Sequence, residues 1–430
     1  MAGGRALRPV YLVDGARTPF LKARGVPGLF SASDLAVQAG RALLLRQPFE
    51  PSDLSEVIIG CAAPAPDEVN IGRLTALRLG CGDKVPGFTV MRNCASGMQA
   101  LDSAWLNIGL GRSDLVLAGG TDALSRAAVL FSDGMVHWLA RWNAAKTPMQ
   151  KATLLTRFKL RDLAPVIGLL KGLTDPTVGL SMGQTAEELA CRFGISRTAM
   201  DAFAVESHRR ALAAQAGDPH RVPLVDAKGK GHALDDGVRP EASTEKLATL
   251  RPVFDKPYGH ITAGNSSQVT DGAALLLLAS EAALARWQLK PLARLVDGQW
   301  AALSPALMGL GPVHAATPLL ERHHLTLQDL DTVEINEAFA AQVLACLAAW
   351  QDADWCRQEL GRTQALGAID SARLNPYGGA IAVGHPVGAS GARIVLEVLR
   401  ALRERGGRYG LASICIGGGQ GGALLIEALP

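Results

Sequence analysis

Residues 95–108 read A-S-G-M-Q-A-L-D-S-A-W-L-N-I, where almost every side chain is small or apolar and Asp102 is the only charge. A helix with no polar face has to be buried on every side. That requirement excludes a simple arrangement of surface helices and demands protein layers above and below this segment. Short, uninterrupted apolar runs can supply them. Residues 10–13, 57–60 and 115–118 read as buried strands, the first ended by Asp14-Gly15 and the last stopped by Gly119-Gly120. Residues 32–46 have helical spacing, with Ser31 or Ser33 as the cap. Strands alternating with helices in this manner predict an α/β layered core.

The second half repeats the plan. D-L-S-E-V-I-I-G-C, beginning at Asp53, parallels D-L-D-T-V-E-I-N-E, beginning at Asp329; in each a Leu-containing turn leads to a short strand that ends at a polar or reactive position. The N-C-A-S-G-M-Q-A-L helix and the strand after it (114–120) are mirrored by G-H-P-V-G-A-S-G-A-R and a returning strand at 409–418. Chance likeness between α/β units is the alternative. A duplicated core would place both helix starts at a shared centre. The expected organisation is an N-terminal half at 1–122, an inserted loop domain at 123–269, a strand returning to the first half at 270–280, and a C-terminal half at 281–430. Within the insertion, residues 138–171 mix basic and large apolar side chains, with Asp162 the only acid. That pattern suits a helix pair docking on a membrane surface or a partner, or two amphipathic helices covering the core.

At 430 residues the chain exceeds one compact domain, and its net charge of +3 gives no reason to expect nucleic-acid binding. The seven cysteines (61, 81, 94, 191, 346, 356 and 415) show no CxxC or metal-binding spacing. An odd number of scattered cysteines argues for free thiols in a reducing compartment. The opening M-A-G-G-R-A-L-R-P-V lacks a signal-like apolar stretch, and the apolar run at 273–279 is too short to span a bilayer. The expected location is therefore the cytoplasm, with an organelle matrix as the alternative.

Four segments carry chemistry. Cys94 stands just ahead of the buried helix, where free N–H groups and the positive dipole end favour a thiolate; a small core filler is the plainer reading. Burial alone would oppose ionisation, so a base is required. His385 lies between Gly384 and Pro386 at another helix start rich in small residues, and imidazole can take a thiol proton at neutral pH. Cys415 ends a strand before G-G-G-Q-G-G, whose backbone N–H groups can face a substrate oxygen; a packing turn is the alternative. Asn336, in N-E-A-F-A-A-Q, can hold a water that donates to an oxyanion, or can simply cap a helix.

Together these segments resemble the thiolase superfamily over nearly the whole chain. V-D-G-A-R-T-P-F (13–20), N-C-A-S-G, L-R-P-V-F-D-K-P, T-A-G-N-S-S (262–267), N-E-A-F, G-H-P-V-G-A-S-G-A-R and C-I-G-G-G-Q-G carry the likeness. The resemblance implies a five-layer α-β-α-β-α core of two halves, with the insertion capping the site. It also implies an acyl-cysteine on Cys94, activation by His385, and proton movement at the substrate α-carbon by Cys415. One oxyanion site would use His385 and a water held by Asn336; the other, the backbone N–H groups of Cys94 and Gly417. Ser267 would lie beside the pantetheine, with Phe339 and Met182 lining its tunnel. Coenzyme A is the implied co-substrate, with no bound metal, flavin or nicotinamide.

Within the family, R-F-K-L-R-D-L-A-P (157–165), D-K-P-Y-G (255–259) and G-P-V-H-A-A-T-P (311–318) resemble the β subunits of fatty-acid oxidation trifunctional complexes. That branch usually carries His at the Asn336 position and C-A-A-G-G where this chain has C-I-G-G-G. Ser181 stands where acetoacetyl-specific enzymes often carry His. The implied activity is 3-ketoacyl-CoA thiolysis in β-oxidation. The alternatives are acetoacetyl-CoA formation from two acetyl-CoA, a carrier-bound ketosynthase, or a catalytically silent lipid-binding or scaffold relative. The implied partners are acyl-CoA and CoA, a second or further copies as homodimer or homotetramer, a hydratase/dehydrogenase α subunit, and a membrane surface met by residues 138–171.

Overall fold

The computed structural model describes residues 7–429. Nine strands carry the framework: β1 (Val10–Arg17), β2 (Glu56–Gly60), β3 (Gly87–Val90), β4 (Leu115–Ala123), β5 (Thr270–Ser280), β6 (Ala293–Ala302), β7 (Thr332–Ile335), β8 (Tyr409–Ile416) and β9 (Gln420–Ala428). The helices used below are α1 (Ala32–Leu44), α2 (Ser96–Gly109), α3 (Asp133–Ala144), α4 (Pro148–Thr156), α5 (Met182–Arg192), α6 (Arg197–Ala214), α7 (Gly311–Arg322), α8 (Ala340–Gln351) and α9 (Val387–Arg405).

The strands lie side by side in the order β7-β8-β9-β6-β1-β5-β4-β2-β3. In the first half β2 and β4 are parallel, while β4/β5 and β5/β1 are antiparallel. The second half repeats this pattern, with β7/β8 parallel and β8/β9 and β9/β6 antiparallel. Antiparallel pairing of β1 with β6 joins the halves. The likeness reaches atomic detail: β1 shifts register between Leu12 and Asp14, and β6 shifts between Leu295 and Asp297. At each irregularity the Asp accepts from the N–H of the following glycine, at 2.7 Å for Gly15 and 2.8 Å for Gly298. Each Asp is also held by an arginine, Arg46 just past α1 or Arg322 at the end of α7. Asp14-Gly15 is thus a bulge within a strand, where the sequence suggested a stop. A carboxylate that satisfies the displaced backbone group lets pairing resume beyond it.

Strand alternation sorts side chains into layers. Leu275 and Leu277 of β5 pack with Leu35 and Leu43 of α1 on one outer face. Leu276 and Leu278 turn inward to Met98 and Leu101 of α2 and Ile394 and Val395 of α9. The same central layer meets Ala412 and Ile414 of β8, while Leu411 and Leu425 face Val313 of α7 and Val343 of α8 on the opposite exterior. Five layers result, with α2 and α9 between the sheet halves, as the unpolarised 95–108 segment requires.

The two central helices cross with their backbones nearly touching. A Cβ on Gly97 would lie 2.6 Å from the Gly388 carbonyl oxygen, and one on Gly391 would lie 2.6 Å from the Met98 nitrogen. Crowding also explains a departure from expectation at Gly119-Gly120, where a Cβ on Gly119 would run into the Ala274 carbonyl of β5. These glycines do not stop β4, which continues to Ala123; at Gly120 the backbones of Gly97 and Gly388 occupy the space that a Cβ would need.

Residues 124–269, between β4 and β5, hold α3 to α6 and two short antiparallel strand pairs, Val129–Leu130 with Val166–Ile167 and Leu224–Val225 with Gly231–His232. Neither α3 nor α4 buries a residue in the core. They instead form a small aromatic nucleus of their own, with Trp138 5.2 Å from Trp142 and 5.1 Å from Phe158 between ring centres. The reading of 138–171 as a cover for the core does not describe this arrangement.

Candidate active site

Cys94 is presented by a tight turn. Asn93 adopts φ +44°, in the left-handed region that Asn tolerates better than most residues. Its amide donates to the Gly417 carbonyl at 2.8 Å, tying the turn to the β8–β9 connection. Ser96 Oγ accepts from the Arg92 N–H at 2.9 Å and donates to the Asn93 carbonyl at 2.7 Å. α2 then begins at Ser96 with Ala95 as its cap, so Cys94 stands at the positive end of a buried helix. Burial nevertheless holds its thiol above the ordinary value, opposed by the N–H groups of Gly417 and of Cys94 itself, which point at the sulfur. The resting group is a neutral thiol, so the thiolate that the helix position suggested has to be formed by proton removal.

His385 is fixed by its backbone, whose N–H donates to the Gln268 carbonyl at 2.9 Å. Its ring Nδ1 lies 2.6 Å from Ser390 Oγ, and that hydroxyl donates to the Pro386 carbonyl at 3.0 Å. A hydroxyl spending its proton on Pro386 can only accept from the ring. This assigns the proton to Nδ1 and leaves the buried Nε2, which has no partner among the described residues, as a free base. Burial, reinforced by the Arg393 charge, lowers the imidazole to about 4, so it is neutral at rest.

Cys415, the penultimate residue of β8, is 1% exposed. Burial pushes its thiol well above the usual range, and the proximity of Cys94 adds to the shift. Asn336 follows β7, is fully buried, and donates through its backbone to the Ser413 carbonyl at 2.9 Å. Neither atom of its side-chain amide has a partner among the described residues. The helix-cap reading of Asn336 fails, because α8 starts at Ala340 with Phe339 in the cap position. Its neighbour Glu337 is held by Ser207 Oγ at 2.6 Å, Asn375 Nδ2 at 3.0 Å and the Ile381 N–H at 3.2 Å.

A cavity of about 430 Å³ opens over the Cys94 sulfur. Gly417 lines it beside Cys94, and Leu124, Ala128, Leu169, Leu173 and Met182 line it from the insertion. Met182 stands against Gly417, where a Cβ would lie 3.1 Å from its sulfur. Of the residues singled out from sequence, Cys94, Met182 and Gly417 reach this cavity. Cys415, Phe339 and Met182 share one apolar cluster alongside it. Phe339 meets Phe254 edge-on at 5.9 Å, and the Ser267 N–H donates to the Ala338 carbonyl at 2.9 Å, which sets Ser267 beside the Phe339 segment. His385, Asn336, Cys415, Ser267 and Phe339 lie outside the lining of the cavity itself.

The paired thiols, the unprotonated ring nitrogen and the duplicated framework agree with the matches to known families. Models of the thiolase N-terminal and C-terminal domains match residues 10–282 and 289–428. The chain belongs to the thiolase family. The mitochondrial trifunctional enzyme subunit beta of Bos taurus is 37% identical over 99% of this chain and 89% of its own length. A beta-ketoadipyl-CoA thiolase of Acinetobacter baylyi is 39% identical over 98% of this chain and 100% of its own. The crystal structure of human mitochondrial 3-ketoacyl-CoA thiolase in complex with CoA aligns with TM-score 0.84 and 34% identity, covering 99% of both chains.

Sequence reasoning overlooked several residues that build this thiolase site. Asn93 sets the turn, Ser390 selects the His385 tautomer, and Ser207 and Asn375 hold Glu337. Ser390 was accessible in principle, since it lies five residues beyond His385 at the opening of the same helix. Asp122 gave no signal. Buried at the end of β4, it accepts from Cys61 Sγ at 3.0 Å, the Ala63 N–H at 2.9 Å and the Gly388 N–H, and so pins both halves beside the sulfur. Burial raises its own carboxyl and, with Asp122 beside it, the Cys61 thiol.

Proposed function

We propose that this thiolase cleaves 3-ketoacyl-CoA with coenzyme A, giving acetyl-CoA and a shortened acyl-CoA in fatty-acid degradation. The observation that carries the reading is the Cys94 sulfur, which faces an apolar cavity while two backbone N–H groups converge on it. His385 Nε2 removes the Cys94 proton, and the thiolate attacks the 3-keto carbon. The Cys94 and Gly417 N–H groups hold the resulting oxyanion. Collapse breaks the bond between C2 and C3, leaving the acyl group on Cys94 and acetyl-CoA as its enolate. His385, now protonated, and a water on Asn336 hold the enolate oxygen; both unpartnered amide atoms of Asn336 support that role.

Cys415 protonates the enolate carbon, and its thiolate then takes the proton of incoming coenzyme A. The coenzyme A sulfur displaces Cys94, which recovers its proton from His385. The neutral resting states of Cys415 and His385 suit an acid and a base respectively. Each backbone donor in such an oxyanion site is worth about 3 kcal/mol of barrier. Pantetheine would run past Ser267, Phe339 and Met182, and the acyl tail would enter the cavity.

A medium or long acyl chain fits better than acetoacetyl-CoA chemistry, because an acetyl group needs little of a 430 Å³ cavity. Each buried methylene adds about 0.8 kcal/mol. The test is a thiolysis profile across acetoacetyl-CoA, 3-ketododecanoyl-CoA and 3-ketohexadecanoyl-CoA. Higher kcat/KM for the longer substrates is expected; equal or greater activity with acetoacetyl-CoA would defeat the long-chain role.

The proposal extends to partners: a homodimer or homotetramer, with an α subunit bearing hydratase and dehydrogenase activities. The helix pair α3–α4 and the segment after it expose Val136, Met149, Leu155, Leu160 and Leu163 among basic residues, which supports contact with an anionic membrane surface. Among the described residues no helix is long and apolar enough to cross a membrane.

A further inference from the structure

The cavity over Cys94 is lined almost entirely by apolar side chains and glycines, with one charged residue, Asp175. Among the described residues no Lys, Arg or His lines it. Asp175 is 5% exposed and belongs to the turn that brings the chain into α5. Three donors converge on its Oδ1: the Thr177 N–H at 2.8 Å, Thr177 Oγ1 at 2.5 Å and the Val178 N–H at 3.2 Å. None of these bonds uses Oδ2. The Thr177 hydroxyl and the two N–H groups hold the carboxyl below its usual range, so the wall carries a negative charge at neutral pH. The Asp175 N–H donates to the Leu180 carbonyl at 2.8 Å and the Met182 N–H to the Leu173 carbonyl at 2.9 Å, which fixes this segment against the site.

An acyl tail with a methyl end meets only apolar surface there. A tail ending in carboxylate would lose water, find no cation, and face a like charge. The distinction matters because the relatives include both a subunit of fatty-acid type and a thiolase named for beta-ketoadipyl-CoA. We propose that the wall segment bearing Asp175 makes this site selective for acyl chains with an uncharged end and excludes chains that end in a carboxylate. The inference rests on the thiolysis reading above and names its substrate class.

The test compares thiolysis of 3-ketohexanoyl-CoA and 3-ketoadipyl-CoA, which share a six-carbon chain and differ at the far end. The expected preference for 3-ketohexanoyl-CoA is about a hundredfold in kcat/KM, the scale of an unpaired buried charge. Asp175→Asn, which keeps an acceptor for the turn, should move the ratio about tenfold toward the diacid. A merely structural role would lower both substrates in parallel and leave the ratio fixed, and that result would overturn the assignment. Leu169→Arg, which adds the missing cation, should move the ratio in the same direction. A wild-type ratio near one would overturn the selectivity while leaving thiolysis intact. Cleavage of neither substrate, with no acyl group captured on Cys94, would overturn the thiolysis reading and this inference with it.

Discussion

The two halves of the molecule differ most where their chains pass between corresponding strands. In the first half β4 is joined to β5 by residues 124–269, with α3 to α6, the shorter helices Gly168–Gly172 and Thr244–Ala248, and two small strand pairs. In the second half β8 is joined to β9 by residues 417–419 alone, all glycine, with Gly418 and Gly419 at positive φ. Both connections end over the same sulfur. The long one supplies Leu169, Leu173 and Met182 as apolar wall; the short one supplies Gly417, whose N–H points at Cys94. One framework, used twice, therefore separates substrate shape from charge stabilisation. Insertions into the long connection can reshape the pocket without disturbing the donor that the tight turn must hold.

The largest effect is expected at the sulfur that both connections share. Cys94→Ala should abolish acyl exchange and thiolysis together, by roughly ten-thousandfold or more. Measurable exchange of label between acetyl-CoA and coenzyme A would remove Cys94 from its role. Cys415→Ala should reduce turnover about a thousandfold while acyl-Cys94 still forms, as read by mass spectrometry of the trapped protein. Normal thiolysis in that variant would refute the assignment of the second thiol.

Where the halves touch, Gly388→Val should lower the midpoint of urea unfolding, because a Cβ there would lie 2.7 Å from the Thr121 carbonyl. Overpacking of this kind costs about 3 kcal/mol. An unchanged midpoint would show that the helix crossing is looser than described. Ser390→Ala should slow thiolysis about tenfold at constant KM by freeing the His385 ring. In the wild type the acid limb of kcat should fall near pH 4, where His385 titrates, with little loss at pH 6. An acid limb at 6.5 would mean an ordinary, solvated imidazole. The sign for stability follows from the same displacement: the lowered histidine contributes fully above pH 6.5, and that contribution declines as the pH falls toward 4.

The smallest effect is expected at the insertion's outer edge. Arg157→Glu with Lys159→Glu should weaken co-sedimentation with anionic vesicles and change unfolding stability by no more than about 0.5 kcal/mol. Undiminished sedimentation would remove this surface from membrane contact.

Much of the framework was legible from residues. The charge-poor 95–108 stretch demanded a buried helix, and the likeness between the segments at Asp53 and Asp329 anticipated β2 and β7, which hold equivalent places in the two halves. The glycines at 119 and 120 were misread as a stop because a glycine's reason lies in what approaches it, here the Ala274 backbone at Gly119 and the backbones of Gly97 and Gly388 at Gly120. Asp14 was misread for a similar cause: its carboxylate completes a bulge only when Arg46, distant in sequence, is folded beside it.

By itself, then, the order of residues determined which side chains could do chemistry and that a layered, twice-used core had to surround them. Local pattern suffices for this, since periodicity and turn residues act over a few positions. The tertiary structure alone decided the protonation of Cys94, the tautomer of His385 and the charge carried by the pocket wall. Each depends on burial and on partners remote in the chain, and desolvation is a property of the assembled interior that no short stretch encodes.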